Sequence, residues 1–193
     1  MRLTLGTRRS ALALAQSRAF ARALDAAPPG LAVDELLVVT SGDKTPDKPL
    51  HDIGGKGLFI KELEIALEDR RADIAVHSMK DVPGDLPQGL MIAAVLQRSD
   101  ARDALITSKS TCLEELPRGA RLGTSSLRRQ AQLLAARPDL HIEAMRGNVD
   151  SRLRRLDAGE LDAIVLACAG LIRLGLAARI PSHLDPKISL PAV

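Results

Sequence analysis

Four segments of the chain place cationic side chains, in three of them together with hydroxyls, directly after a short apolar run. They are Gly6-Thr7-Arg8-Arg9-Ser10, His77-Ser78-Met79-Lys80-Asp81, Gly123-Thr124-Ser125-Ser126-Leu127-Arg128-Arg129 and Arg146-Gly147-Asn148. In open α/β sheets, ligands bind outside the carboxyl ends of the strands. Helix N-termini at these ends offer free N–H groups and a partial positive charge. Hydroxyls and cations at several such ends predict one cleft that binds a ligand with many negative groups.

The segment Ala75–Pro83 brings an acid into this cationic setting. Asp81 follows a short apolar strand, stands next to Lys80, and is soon followed by Pro83, which stops any helix. Because nearby positive charge favours the ionised carboxylate, Asp81 is suited to stabilising a developing cation or transferring a proton. The alternative is a solvated turn with a local Lys80–Asp81 pair, which is a common and weak contact.

Three hydroxyls and two guanidiniums surround the helix start at Thr124–Arg129. Capping explains one hydroxyl and not three, and cations in a first helical turn oppose the helix dipole. A bound anion would explain both features. Arg152 and Arg155 share one face of the next helix, after Arg146, although a solvated basic helix explains that face equally well. Arginine binds carboxylates and phosphates alike, so residue type does not name the ligand.

The remaining polar motifs are less specific. Gly54-Gly55-Lys56-Gly57 lacks the spacing of a nucleotide-binding P-loop, and we interpret it either as a mobile lid or as a plain flexible loop. Cys112 and Cys168 form no CxxC motif, and no two histidines stand four residues apart. We therefore expect a reducing compartment and no metal site.

Composition argues against several classes of protein. Net charge is only +3, with bases and acids interspersed, and the aromatic residues are two phenylalanines. A single-strand nucleic-acid binder needs aromatic stacking platforms, and a duplex binder needs a strong basic surface, so we expect no nucleic-acid partner.

Arg8-Arg9 suggests a twin-arginine export signal, but the apolar run after it stops at Gln16. No run approaches transmembrane length, so we expect a cytoplasmic protein without a membrane partner.

Strand-like and helix-like runs alternate, which predicts an α/β fold with mainly parallel sheets. We place the first domain at residues 1–98 and the second at 99–187, with a return crossover near 188–193. The expected strands cover 2–5, 32–40, 74–76, 104–107, 121–123, 140–145 and 162–167. The expected helices cover 10–26, 59–68, 113–116, 126–136 and 149–157, with another from 170, and 41–57 is expected to be a long polar loop.

Taken together, these motifs resemble the porphobilinogen deaminase family, also called hydroxymethylbilane synthases. The matching runs occur in the family's order along the whole chain: Thr7–Ala13, Gly54–Phe59, Ala75–Pro83, Gly123–Gln130, Arg146–Val149 and Ile188–Val193. The resemblance implies two lobes of the periplasmic-binding-protein type, joined by two crossovers. It also implies a transferase of heme biosynthesis that joins four porphobilinogen molecules head to tail, releasing ammonia each time, on a dipyrromethane cofactor.

The resemblance also assigns roles to residues. Asp81 falls on the catalytic aspartate, which would stabilise the cationic azafulvene left when ammonia departs and assist proton transfers. Gly54 to Gly57 fall on the mobile loop. The positions that bind cofactor and substrate, whose pyrroles carry acetate and propionate groups, are Arg8, Ser10, Ser78, Lys80, Thr124, Ser125, Ser126, Arg128, Arg129, Arg146 and Arg152.

One departure from the family affects activity. Family members continue past the Leu190-Pro191-Ala192-Val193 run and carry the cofactor-attachment cysteine in a third domain, which neither Cys112 nor Cys168 matches. We therefore expect the first two domains of the enzyme, monomeric and with little or no activity alone. The alternatives are a non-catalytic anion-binding module of the periplasmic-binding-protein type and the effector domain of a regulator, although no helix-turn-helix region precedes the first strand.

Overall fold

The computed structural model describes residues 2–25, 30–44, 60–107, 110 and 112–192. They belong to two compact units, one formed by residues up to Leu96 and the other by Gln97–Ala192. The sequence placed this division at residue 98. Each unit is an α/β body with its own sheet.

The first unit is built on a three-stranded parallel sheet with the order β2-β1-β3. Its elements are β1 (Arg2–Arg8), α1 (Ala11–Asp25), β2 (Ala32–Val38), α2 (Ser41–Lys44), α3 (Lys61–Glu68) and β3 (Ile74–Ala75), followed by a 3-10 turn at Met79–Asp81. Leu5 of β1 and Leu63 of α3 are buried in its core. Gly6 permits this close packing, because a Cβ there would lie 3.1 Å from the Leu63 side chain.

The second unit is built on a five-stranded sheet with the order β6-β5-β7-β4-β8. Its elements are β4 (Asp103–Thr107), β5 (Arg121–Gly123), α4 (Leu127–Ala136), β6 (His141–Glu143), α5 (Val149–Asp157), β7 (Ala163–Ala167), α6 (Cys168–Arg173), a 3-10 turn (Ala177–Arg179) and β8 (Ser182–His183). β5 runs parallel to β6 and β7, whereas β4 runs antiparallel to β7 and β8. The sheets of the two units are thus mainly parallel, as the sequence predicts.

Alternating residues of β4 and β7 fill two separate apolar clusters, one on each face of the second sheet. Ala104 and Ile164 pack with residues of α5 and α6, including Leu153 and Leu171. Their neighbours in the strands pack with residues of α4, Leu133 among them. The middle residues of β4 and all residues of β7 are apolar because both faces of these strands are covered.

Some local expectations were wrong. Residues 113–116 form turns and not a helix, with Pro117 following directly. Ser41–Lys44 forms a short helix inside the segment expected to be loop. Residues 188–192, expected to leave the second domain, are held by it: the Ser189 hydroxyl donates to Asp103 at 2.9 Å. A crossover from Val193 onward stays a prediction, because that residue lies outside the described part.

None of the helices in the described part of the chain combines the length and the apolar character needed to cross a bilayer. The apolar segment Met91–Leu96 lies in neither a helix nor a strand, and its Met91 and Val95 side chains are exposed.

Candidate functional site

In the first unit, the candidate residues gather where parallel strands end. β1 ends at Arg8 and β3 ends at Ala75, and both strands run in the same direction, so the residues that follow lie at one edge of the sheet. Arg8, His77, Ser78 and Asp81 line one small hollow at this edge, together with Gln16 of α1. The structure thus brings Arg8, Ser78 and Asp81, three of the predicted site residues, together at this edge.

Local hydrogen bonds fix the frame of this hollow. Ser10 caps α1, since its hydroxyl accepts from the Ala13 N–H at 3.3 Å. Gln16 Nε2 donates to the Ser78 hydroxyl at 3.1 Å, which ties α1 to the segment after β3. Ser10 thus serves the helix start, whereas Ser78 is presented to the hollow.

Asp81 is held by backbone geometry. The Asp81 N–H donates to the Ser78 carbonyl at 2.9 Å, which closes the 3-10 turn and projects the side chain. Asp81 and Lys80 are both exposed. The exposed Asp81 carboxylate, shortly after the half-buried strand β3, is accessible to a ligand, whereas Lys80 does not line the hollow.

His77 lines the same hollow as the charged side chains of Arg8 and Asp81. Burial lowers the pKa of its imidazole; Asp81 acts in the opposite direction and Arg8 adds to the lowering. His77 is therefore mainly neutral at pH 7. One of its ring nitrogens donates a hydrogen bond and the other accepts one. His77 is not among the predicted site residues, although its place beside Ser78 in the sequence was a usable signal.

In the second unit, the three hydroxyls after β5 all have local partners. Ser126 caps α4 by accepting from the Arg129 N–H at 3.4 Å, and Thr124 accepts from the Ser126 N–H at 3.2 Å. Ser125 accepts from the Met145 N–H at 2.8 Å and donates to the Met145 carbonyl. Capping thus explains one hydroxyl, as expected, but the other two do not require a bound anion, because Thr124 forms a turn and Ser125 pairs two loops.

Arg128 and Arg129 are paired with a buried acid that the sequence analysis missed. Asp103 is 2% exposed, and its two oxygens accept from Arg129 Nη2 and from Arg128 Nη2, both at 2.7 Å. Burial alone would raise the pKa of Asp103, but the hydrogen bonds and charges of the two guanidiniums outweigh it and lower that pKa. The buried Asp103 carboxylate, and not a bound ligand, therefore explains why two cations are tolerated at this helix start. The available signal was an acid at the head of the apolar run Ala104–Thr107.

Three further contacts complete this pairing. Arg129 Nη1 donates to the Val165 carbonyl at 3.2 Å, and Arg128 Nη1 donates to the Leu190 carbonyl. Ser189 also donates to Asp103. Arg129 is 9% exposed, and among the described residues its Nε atom finds no hydrogen-bond acceptor.

Arg152 lies in a cluster of guanidiniums. Burial lowers the pKa of Arg152, and the positive charges of Arg129 and Arg146 lower it further. Its Nε donates to the Gly147 carbonyl at 3.0 Å, which orients the side chain at the start of α5. A cluster of three arginines is unfavourable by itself, and a bound anion relieves the repulsion.

Backbone geometry positions this cluster. Gly147 has a φ of +95°, and a Cβ there would lie 2.2 Å from the Ser151 hydroxyl oxygen. Asn148 caps α5 by accepting from the Ser151 N–H at 3.0 Å. Glycine is therefore required between Arg146 and the helix cap. Gly54, Gly55, Lys56 and Gly57 lie outside the described residues.

A family model described as "Porphobilinogen deaminase, dipyromethane cofactor binding domain" matches residues 3–193. A curated relative, the porphobilinogen deaminase of Sorangium cellulosum (strain So ce56), is 65% identical over 191 residues. That alignment covers 99% of this chain and 64% of the relative. The chain thus spans somewhat less than two thirds of that relative's length.

Solved structures with little sequence identity share the fold. A periplasmic substrate-binding protein of an ABC transporter from Coxiella burnetii has a TM-score of 0.52 and 16% identity, over 95% of this chain and 80% of that one. A lipoprotein from Actinomyces odontolyticus ATCC 17982 has a TM-score of 0.51 and 16% identity, over 100% of this chain and 80% of that one. These likenesses support the expected architecture of periplasmic-binding-protein type and carry nothing about ligands.

Proposed function

Because the chain belongs to the porphobilinogen deaminase family, we propose that it contributes to joining four porphobilinogen molecules head to tail into hydroxymethylbilane. One ammonia leaves at each step, and the product is a linear tetrapyrrole of heme biosynthesis. The chain spans 64% of its Sorangium relative. The proposal therefore concerns what its own residues supply: binding of carboxylate-bearing pyrroles and one catalytic carboxylate.

The observation that carries the proposal is the arginine cluster of the second unit. Burial lowers the pKa of Arg152, and the nearby charges of Arg129 and Arg146 lower it further. A pyrrole with acetate and propionate groups brings further negative charge to these guanidiniums, and guanidiniums bind carboxylates through paired hydrogen bonds.

The same cluster fits a dipyrromethane, whose two pyrroles carry the same acid groups. The buried Nε of Arg129, which finds no acceptor within the described residues, is consistent with an acidic group beside it. We propose that the carboxylates of the dipyrromethane bind to Arg129, Arg146 and Arg152. Further contacts with the dipyrromethane are assigned to Thr124, Ser125, Ser126 and Arg128. When bound, the dipyrromethane supplies the pyrrole end on which the chain of pyrroles grows. Cys112 and Cys168 do not match the family's attachment position, so these contacts are non-covalent.

Asp81 is the proposed catalytic residue. Its exposed carboxylate stabilises the positive charge that develops on the substrate pyrrole as the amino group leaves as ammonia. It also accepts and returns a proton at the pyrrole nitrogen. Arg8, Ser10, Ser78 and Lys80 are the proposed partners of substrate carboxylates in the first unit, with neutral His77 beside them. Location in the cytoplasm and a monomeric state stay predictions.

A non-catalytic anion-binding module is the second candidate, favoured by the periplasmic-binding-protein fold. Asp81 argues against it, because an exposed carboxylate in the hollow repels an anionic ligand unless it serves a chemical step. A binding module would hold porphobilinogen without changing it, whereas the proposed transferase consumes it.

The test is a chimera in which residues 3–193 of this chain replace the matching region of the Sorangium relative. The proposal expects ammonia release and a linear tetrapyrrole when the chimera is mixed with porphobilinogen. The unmodified relative is the positive control. Binding of porphobilinogen without ammonia release, by a folded chimera, would favour the binding module.

A further inference from the structure

Three side chains that the proposed function does not use meet at one end of the second sheet: Asp100, Cys168 and His183. Asp100 precedes β4, Cys168 follows β7, and His183 belongs to β8. Since β4 pairs antiparallel with both β7 and β8, these chain positions become neighbours although they are far apart in sequence. Asp100 Oδ2 lies 3.8 Å from His183 Nε2. Within the described part of the chain, the ligand atoms of all three residues lie within 4.8 Å of one another.

We propose that Asp100, Cys168 and His183 form a binding site for a thiophilic divalent cation such as Zn²⁺. Carboxylate oxygen, thiolate sulfur and imidazole nitrogen are all zinc donors, with bonds of about 2.0–2.3 Å and donors about 3.5 Å apart in a tetrahedron. The Asp100–His183 separation already fits that spacing. The sulfur lies at most 4.8 Å from the other two donor atoms. It must therefore approach them by about 1.3 Å at most, and a fourth position is left for water.

Arg102 prepares the carboxylate for this role. Its Nη2 donates to Asp100 Oδ2 at 2.7 Å, and its backbone N–H donates to Oδ1 at 3.0 Å. These hydrogen bonds lower the pKa of Asp100 to about 2, so the group is ionised and oriented at neutral pH. A ligand carboxylate held in this manner by a neighbouring donor is the usual support of a metal site.

Cys168 supplies the second negative charge when the ion binds. Its side chain is 0% exposed, and burial, with the Asp100 charge next, raises the pKa of the thiol to about 11. Binding replaces the thiol proton by the cation and releases that proton to solvent. Ordinary core packing explains the burial of Cys168 but not the convergence of Asp100 and the partly exposed His183 on its sulfur. No spacing in the sequence indicates this site, because its ligands come from three separate segments.

The test uses the whole chain, reduced and stripped of metal. Zn²⁺ is titrated against a chromophoric chelator, and Co²⁺ is added separately to look for a thiolate-to-cobalt charge-transfer band. The proposal expects one equivalent of tightly bound zinc and a clear cobalt band. Cys168→Ser should remove the band, and His183→Gln should weaken zinc binding at least about tenfold.

Cys112→Ser is the matched control, since it removes the other free cysteine and should leave both signals intact. His183→Gln changes an exposed side chain and decides the question even if Cys168→Ser fails to fold. Absence of zinc binding, or binding that is unchanged in His183→Gln, would overturn the proposal, as would a cobalt band lost in Cys112→Ser. The outcome is independent of porphobilinogen turnover.

Discussion

The Asp103 carboxylate and the Arg129 guanidinium form a buried ion pair, with 2.7 Å between Oδ1 and Nη2. Arg128 shares the same carboxylate, so a single buried acid fixes both guanidiniums at the start of α4. The pair links β4 to α4. It thereby also fixes the loop between β5 and α4, which carries Thr124, Ser125 and Ser126. The binding cluster is thus positioned by a residue that touches no ligand in our proposal.

Removing this acid should destabilise the second unit. Asp103→Asn leaves Arg129 buried with an uncompensated charge, which costs about 3–5 kcal/mol of unfolding free energy. Asp157→Asn is the matched control: Asp157 pairs with Arg179 at 2.6 Å, but both side chains are at least 40% exposed, so the loss should stay below about 1 kcal/mol. Urea denaturation of the chain measures both. Equal losses in the two variants would contradict the structural role of Asp103.

The same pair should make stability depend on pH in a defined direction. The pKa of Asp103 is lowered in the folded chain, against about 3.9 when unfolded. As pH falls below about 4, the unfolded state takes up a proton that folded Asp103 still excludes, so stability falls. Asp100, whose folded pKa is about 2, contributes in the same direction.

The gap in unfolding free energy between wild type and Asp103→Asn should therefore narrow as the pH falls from about 6 to about 2. Urea denaturation at several pH values measures it. A gap that stays constant across this range would mean that Asp103 is not ionised in the fold.

Glycine at position 147 should be indispensable to the local structure. Gly147→Ala places a methyl group 2.2 Å from the Ser151 hydroxyl oxygen. It also forces an alanine backbone into a φ of +95°, which residues other than glycine rarely adopt. Gly159→Ala imposes a φ of +74° but meets nothing within 4 Å. We expect Gly159→Ala to cost about 1 kcal/mol and Gly147→Ala at least about 1 kcal/mol more. Similar thermal unfolding of the two variants would contradict the observed close approach.

Binding of a carboxylate-bearing pyrrole should depend on Arg152 and not on its helix neighbour Arg154. Arg152→Gln removes one charge from the cluster, and a charged hydrogen bond contributes about 1.5–3 kcal/mol, so porphobilinogen affinity should fall about tenfold or more. Arg154 is exposed on the same helix and is the control. Calorimetric titration of the whole chain measures the affinities, and an equal loss in Arg154→Gln would point to general charge attraction.

The sequence placed the candidate residues well wherever a local transition marked them. Strand-to-helix changes at Gly123–Leu127 and at Arg146–Val149 are visible as apolar runs that end in capping residues, and the structure has helices beginning at Leu127 and Val149. The meaning of Arg128 and Arg129 was not visible, because their partner Asp103 is distant in the chain. Likewise, an apolar run does not reveal its direction, so the antiparallel pairing of β4 was not predicted.

The same limit explains the three hydroxyls after β5. The hydrogen bonds of Ser125 depend on where Met145 lies, and that position follows from the pairing of β5 with β6. Pairing in the sheet is a tertiary property, whereas a helix cap is a local one. Sequence reasoning therefore predicted that one of the three hydroxyls caps the helix, without saying which, and missed the link between loops.

Porphobilinogen turnover in the Sorangium chimera carrying Asp81→Asn, compared with Asp85→Asn, tests the catalytic proposal most directly. Asp85 is an exposed acid four residues further along and does not line the hollow. We expect Asp81→Asn to bind porphobilinogen yet release ammonia at least about a hundredfold more slowly, and Asp85→Asn to match the unmodified chimera. Ammonia release at the normal rate by Asp81→Asn would contradict the account.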